Sequence, residues 1–246
     1  MLDEGRLLVA RAPKGHPLHE LYESIVNDHL SKLRTAGGRP YEILRLDTAP
    51  YRGELLAAYT NSLILNDVVY VPLFDIEQDE VALETWRAAL PGHTVKGIRF
   101  AIGEEPALDP RVRRMYPGGL GWRSFDALHC RTRAVWDPEM LYLSVDRVPT
   151  VIDRNQELVV TASIVAYSGA LLLSDQLALR WRIEGEQDWT ERPLARGADG
   201  RFRASIPVAR GGVTVEYFVV AADESGRVER SPRTAPAAVY RFAVKE

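Results

Sequence analysis

The chain has 246 residues, 46% of them hydrophobic and 26% charged, enough for two domains of about 100–150 residues each. Its apolar runs are strand-sized and none approaches the ~20 residues that cross a bilayer, so no membrane span is expected. A formal net charge of −3 gives no general attraction to nucleic acid, and one cysteine excludes an internal disulfide.

In chain order, residues 6–11 form a short apolar run. Leu18, Leu21, Tyr22, Ile25, Val26, Leu30 and Leu33 then recur at helical spacing, and Gly37-Gly38 ends that helix. Residues 41–46 alternate like a strand. Residues 62–65 and 68–72 pair around Asn66-Asp67, which has the chemistry of a hairpin turn. Residues 80–90 read as a second amphipathic helix. Strands alternating with helices predict an α/β domain over residues 1–148. The rhythm changes between residues 146 and 155. From there, apolar segments at 157–167, 177–183, 202–208, 213–221 and 239–244 are separated by turns such as Gly197-Ala198-Asp199-Gly200 and Asp223-Glu224-Ser225-Gly226. This predicts an all-β sandwich over residues 149–246, free of disulfides, with Trp181 in its core and Arg180 and Arg182 pointing outward.

Cys130 stands in Ala127-Leu128-His129-Cys130-Arg131-Thr132, after the glycine-bearing Pro117-Gly118-Gly119-Leu120-Gly121. A thiol beside a cation and a tightly bending backbone suits a nucleophile. A lone cysteine also serves as a small buried hydrophobe, and spacing alone leaves both readings open. His129 adjoins Cys130, but on an extended segment their side chains would face opposite ways, so it is read as structural. Asn61, at the start of an apolar strand, is placed to turn its amide toward an opening. His16 and His19, with Glu20 beside them, lack a third ligand at suitable spacing, so no metal is expected. His93, in Pro91-Gly92-His93, reads as a turn residue.

Tyr59-Thr60-Asn61-Ser62-Leu63-Ile64-Leu65-Asn66, Leu90-Pro91-Gly92 with Val95 and Gly97, and Asp126-Ala127-Leu128-His129-Cys130-Arg131-Thr132 together resemble bacterial peptidylarginine deiminase, the secreted kind with an immunoglobulin-like module after its catalytic domain. The stretches around Leu7-Leu8-Val9, His16-Pro17 and Val215-Glu216-Tyr217-Phe218 are similar too. The resemblance implies α/β plus all-β architecture: partial pentein (α/β propeller) repeats followed by an immunoglobulin-like β-sandwich. It implies Cys130 as the catalytic nucleophile on the guanidinium carbon of peptidyl arginine and Asn61 as a substrate-binding active-site residue. It further implies arginine-containing peptides or proteins as partners, an extracellular location, and neither cofactor nor metal.

The family's aspartate and His-x-Asp motif would lie upstream of the stretch at Leu7-Leu8-Val9, and none of the five histidines here stands in His-x-Asp. The chain therefore looks like the carboxyl-terminal part of such an enzyme, and the isolated chain is expected to turn over little. The acidic and basic stretch 100–116 is longer than the family leads one to expect; it reads as a solvated loop or a substrate-selecting rim. Two alternatives stand beside the first reading. One is a deiminase of agmatine or another small guanidine, against which Trp122-Arg123-Ser124-Phe125 counts where that group has a glycine run. The other is an inactive fragment or non-catalytic interaction protein.

Overall fold

A computed structural model describes residues 1–3, 5–35, 38–99, 127–132, 137–155 and 157–246. The glycine-bearing stretch 117–121, the expected rim at 100–116, Trp122 to Phe125, Asp126 and the Arg131 side chain lie outside the described residues, as does Gly37. The chain divides into two compact units: Met1–Arg34 with Pro40–Ala134, and Thr35–Arg39 with Val135–Glu246.

The first unit alternates strands and helices. β1 (Arg6–Arg11) pairs in parallel with β2 (Glu42–Asp47), and α1 (His19–Ser24) runs on through a π-helical segment, Ile25–His29, and a 3-10 turn, Leu30–Lys32. The apolar spacing at 18–33 thus gives a helix, although of that row only Val26 is buried. Two short strands, β3 (Pro50–Arg52) and β4 (Leu55–Leu56), pair before the segment that bears Asn61. β5 (Leu63–Leu65) and β6 (Val68–Leu73) form the expected hairpin, and Asn66 holds φ at +55°, a left-handed conformation that Asn tolerates better than most residues. α2 (Gln78–Ala89) then crosses back to β7 (Thr94–Arg99), which lies parallel to β6. Helix and strands share one core in which Leu46, Tyr59, Val69, Val71, Ala82 and Trp86 are buried.

The second unit is almost entirely β. One sheet has the order β13-β14-β10-β8, built from β8 (Leu141–Asp146), β10 (Glu157–Ala166), β13 (Ala195–Arg196) and β14 (Phe202–Pro207). The other has the order β12-β11-β15-β17-β9, with β16 (Val228–Ser231) also paired to β15. It contains β9 (Val151–Ile152), β11 (Ala178–Ile183), β12 (Thr190–Pro193), β15 (Val213–Ala222) and β17 (Tyr240–Val244). Alternating residues from both sheets, among them Val145, Val160, Leu179, Ile206, Val219 and Phe242, fill a common core. Trp181 packs at its margin, half-buried, while Arg180 and Arg182 pair with Glu191 and Glu216. Because β8 pairs with β10 along Asp146↔Thr161 to Leu141↔Ala166, the second unit begins ahead of the 148/149 division expected from the change in rhythm.

Candidate active site

The residues around Asn61 are tied down before the side chain emerges. Ala57 donates its N–H to Ala49 O at 2.9 Å, and the Thr48 hydroxyl donates to Ala57 O. Tyr59 follows, fully buried, with its ring edge-on to Phe74 at 5.3 Å between centroids. Its hydroxyl donates to Asp79 Oδ1 at 2.6 Å. Its carbonyl accepts the Trp86 indole N–H at 3.1 Å and the Ser62 hydroxyl at 2.7 Å, while Asn61 N–H donates to Ala58 O at 2.9 Å. The result is a tight turn over residues 59–62 with three buried side chains beneath it.

Cys130 lies on one helical turn, α3 (Leu128–Arg131), not on the extended segment expected from sequence. The reason lies in its partner. The first N–H groups of a helical turn have no acceptor of their own, and here residue 61 supplies two: its carbonyl accepts His129 N–H at 3.1 Å, and its side-chain Oδ1 accepts Cys130 N–H at 3.1 Å. Ala127, fully buried in the core of the first unit, anchors the start of the turn. The placement of His129 on the face opposite Cys130 fails with the strand, since neighbours on a helix are about 100° apart rather than 180°.

The orientation of the Asn61 amide follows from donor and acceptor types. A backbone N–H only donates, so the oxygen must face Cys130 N and the NH2 group must face the sulfur. Asn61 Nδ2 accordingly donates to Cys130 Sγ at 2.8 Å. The Asn61 side chain thus holds both the backbone N–H and the sulfur of Cys130, its carbonyl holds the N–H of His129, and the cysteine is exposed. Cys130 is an exposed residue whose sulfur lies beside the amide, an arrangement open to a nucleophile and closed to a cysteine sealed in the core.

His16 and His19 are both engaged with backbone. His16 Nδ1 accepts Leu18 N–H at 3.1 Å, which leaves Nε2 as the donor to Glu54 O at 2.9 Å. His19 Nδ1 donates to Ala12 O at 2.8 Å. No cluster of three potential metal ligands occurs among the described residues. No helix among them is long and apolar enough to cross a membrane.

Sequence reasoning missed Asp79 and Trp86 as parts of the site's support. An acid in the first turn of an amphipathic helix reads as a favourable match to the helix dipole, yet Asp79 is buried and accepts N–H groups from Phe74 (3.0 and 3.1 Å) and Asp75 (2.8 Å) as well as the Tyr59 hydroxyl. Burial, and then the hydrogen bond to Asp79 and its charge, push the Tyr59 phenol well above its ordinary range, so it remains a donor.

Residues 1–102 match the family model described as Porphyromonas-type peptidyl-arginine deiminase. The match takes in Tyr59, Asn61, Asp79 and Trp86 and ends before Cys130. Among solved structures the chain is similar to a candidate arginine deiminase from Porphyromonas gingivalis, at 27% identity over 53% of this chain and 34% of that one, with a TM-score of 0.39. It is also similar to an agmatine deiminase of Enterococcus faecalis, at 22% identity over 40% and 33% of the two chains, with a TM-score of 0.35. The aligned region is about a third of the length of each of these proteins.

Proposed function

We propose that this chain carries the nucleophile of a cysteine-dependent hydrolase that converts peptidyl arginine to citrulline and ammonia. The observation that carries the reading is the two-way hydrogen bonding between Asn61 and the exposed Cys130, at 2.8 and 3.1 Å. The family match over residues 1–102 supports guanidinium as the group attacked.

In this reading the Cys130 sulfur adds to the guanidinium carbon, forming a C–S bond and a tetrahedral centre. One C–N bond then breaks as its nitrogen takes up a proton and leaves as ammonia, and a covalent thiouronium remains on Cys130. Water adds to the same carbon, the C–S bond breaks, and the thiol is restored as the ureido product departs. Asn61 holds the sulfur and the backbone of its turn in place through both events. A guanidinium stays protonated and planar, so the substrate also needs carboxylates in bidentate contact and an imidazole to move protons. By the resemblance those groups precede the stretch at Leu7, and no residue of this chain is assigned to them.

Alkylation of the chain's single cysteine tests the reading. In an enzyme that includes the carboxylates and imidazole which the resemblance places ahead of Leu7, Cys130 is expected to react faster with a haloacetamidine than with the matching haloacetamide, relative to the urea-unfolded enzyme, because only the former carries the planar cation; equal normalised rates there would reject the reading. In an enzyme that joins this chain to repeats carrying those groups, Cys130→Ala is expected to abolish citrulline release, and a blocked arginine peptide is expected to outperform agmatine. The second unit we read as an immunoglobulin-like module and the protein as exported; the two-sheet core supports the former, the resemblance alone the latter.

A further inference from the structure

We infer that Tyr59, Asp79 and Trp86 are positioning residues for Cys130, acting through the turn 59–62 and Asn61. The purpose assigned to them rests on the reading of Cys130 as a nucleophile, but the geometry does not.

Three groups converge on one residue. The Tyr59 hydroxyl is held by Asp79, and the Tyr59 carbonyl receives both the Trp86 indole N–H and the Ser62 hydroxyl. Tyr59 is fully buried, and Asp79, Trp86 and Ser62 are 7%, 4% and 6% exposed. Asp79 and Trp86 both belong to α2, so two of its turns grip the same residue from the same side. Only Thr60 separates that residue from Asn61, and the Asn61 N–H is itself bonded to Ala58 O. The chain therefore has little freedom between the buried anchor and the amide that contacts Cys130.

A carboxylate at this depth is costly, and apolar residues of similar volume would serve stability as well or better. What Asp79 adds is direction: its two oxygens take N–H groups from Phe74 and Asp75 and the hydroxyl of Tyr59, fixing the end of β6 against the turn. The Trp86 N–H similarly sets the rotation of the 59–60 peptide, which plain ring packing would leave unspecified. Displacement of that peptide would carry Asn61 away from both the sulfur and the N–H of residue 130.

A double-mutant cycle on the intact chain distinguishes positioning from mere support of the core. The probe is neutral iodoacetamide, and the readout is the alkylation rate of Cys130 at a pH and temperature where every variant is folded by circular dichroism. Trp86→Phe keeps an aromatic ring and deletes the N–H; Tyr59→Phe deletes only the hydroxyl. Each is expected to shift the rate about threefold or more toward that of Asn61→Ala, and to have almost no effect once Asn61→Ala is present. Leu83→Ala, which removes core volume from the same helix, is expected to lower stability while leaving the rate within about twofold. Unchanged rates in both aromatic variants, or equal shifts with and without Asn61, would overturn the inference. Should Tyr59→Phe fail to fold, Trp86→Phe alone decides it. Because iodoacetamide is neutral, this result is independent of whether a guanidinium is the substrate.

Discussion

At the scale of single residues, Tyr59 shows how burial turns a common side chain into a fixed donor. The unfolded phenol ionises near pH 10, and in the fold its pKa is raised by burial and by Asp79. Between those two values the unfolded chain has lost a proton that the folded chain keeps, so the native state binds more protons and stability must fall as pH rises above 10. Below pH 10 the contribution is fully present. Denaturant titrations of the first unit from pH 8 to 11 are expected to show this loss, and Tyr59→Phe is expected to flatten that limb while lowering stability near neutrality by about 1–2 kcal/mol. Cys130 stands out in the sequence as the chain's single thiol and Asn61 as an amide at the start of an apolar run, while their roles follow only from the family resemblance. Their mutual contact was not legible, since sixty-nine positions separate them and no local pattern encodes the pairing.

Elements carry a second set of consequences. β7 runs beside β6 with Gly97 facing a tight spot: a Cβ there would stand 2.6 Å from Leu73 Cδ1. Gly97→Ala is expected to push the half-buried Leu73 side chain off its rotamer at a cost of about 0.5–1.5 kcal/mol, measured as a shift in denaturation midpoint. In the second unit Glu216 on β15 is buried and receives hydrogen bonds from Arg182 on β11 at 2.8 Å and Arg241 on β17 at 2.7 and 3.0 Å. Burial acts to raise its pKa, but the bonds from Arg241 and Arg182 outweigh it, and the net shift is downward. Its stabilisation is therefore present above the ordinary carboxylate range and is lost as pH falls through the folded value. Glu216→Gln is expected to lower stability at pH 7 by about 1–3 kcal/mol and to weaken the acid limb. Most long elements could be read from periodicity, including both main helices and β10, β11, β14, β15 and β17. Some misses share a cause: Thr190–Pro193 is exposed throughout, and Ala195–Arg196 and Val151–Ile152 are too short to show a period, so partners rather than sequence make them strands; Thr94–Arg99 and Leu141–Asp146 are long enough to alternate yet were missed too, and pairing with β6 and β10 defines them. The helical turn at Cys130 belongs with them, because its first N–H groups are satisfied by residue 61 and not by its own segment.

For the whole molecule, the two units have separate cores, one drawn from residues 8–127 and the other from residues 141–244. A polypeptide of residues 135–246 is expected to fold alone, giving a β-type circular dichroism spectrum and one cooperative unfolding transition; a non-cooperative melt would show the core to be incomplete. The α/β-then-β order was legible because helical and alternating periods differ. The position of the division was not, since the alternation in Leu141–Asp146 fits either side and only its pairing with β10 assigns it. That second unit also closes late along the polypeptide. Among the described residues β9 pairs with β17 alone, through Val151↔Ala243 and Ile152↔Val244, and Tyr240, Phe242 and Val244 complete the interior. A ribosome must therefore have added residue 244 before the sheet has its last inner strand, and until then the growing chain presents uncovered apolar surface. Nascent-chain quality control, rather than the finished fold, is where this arrangement makes its demand.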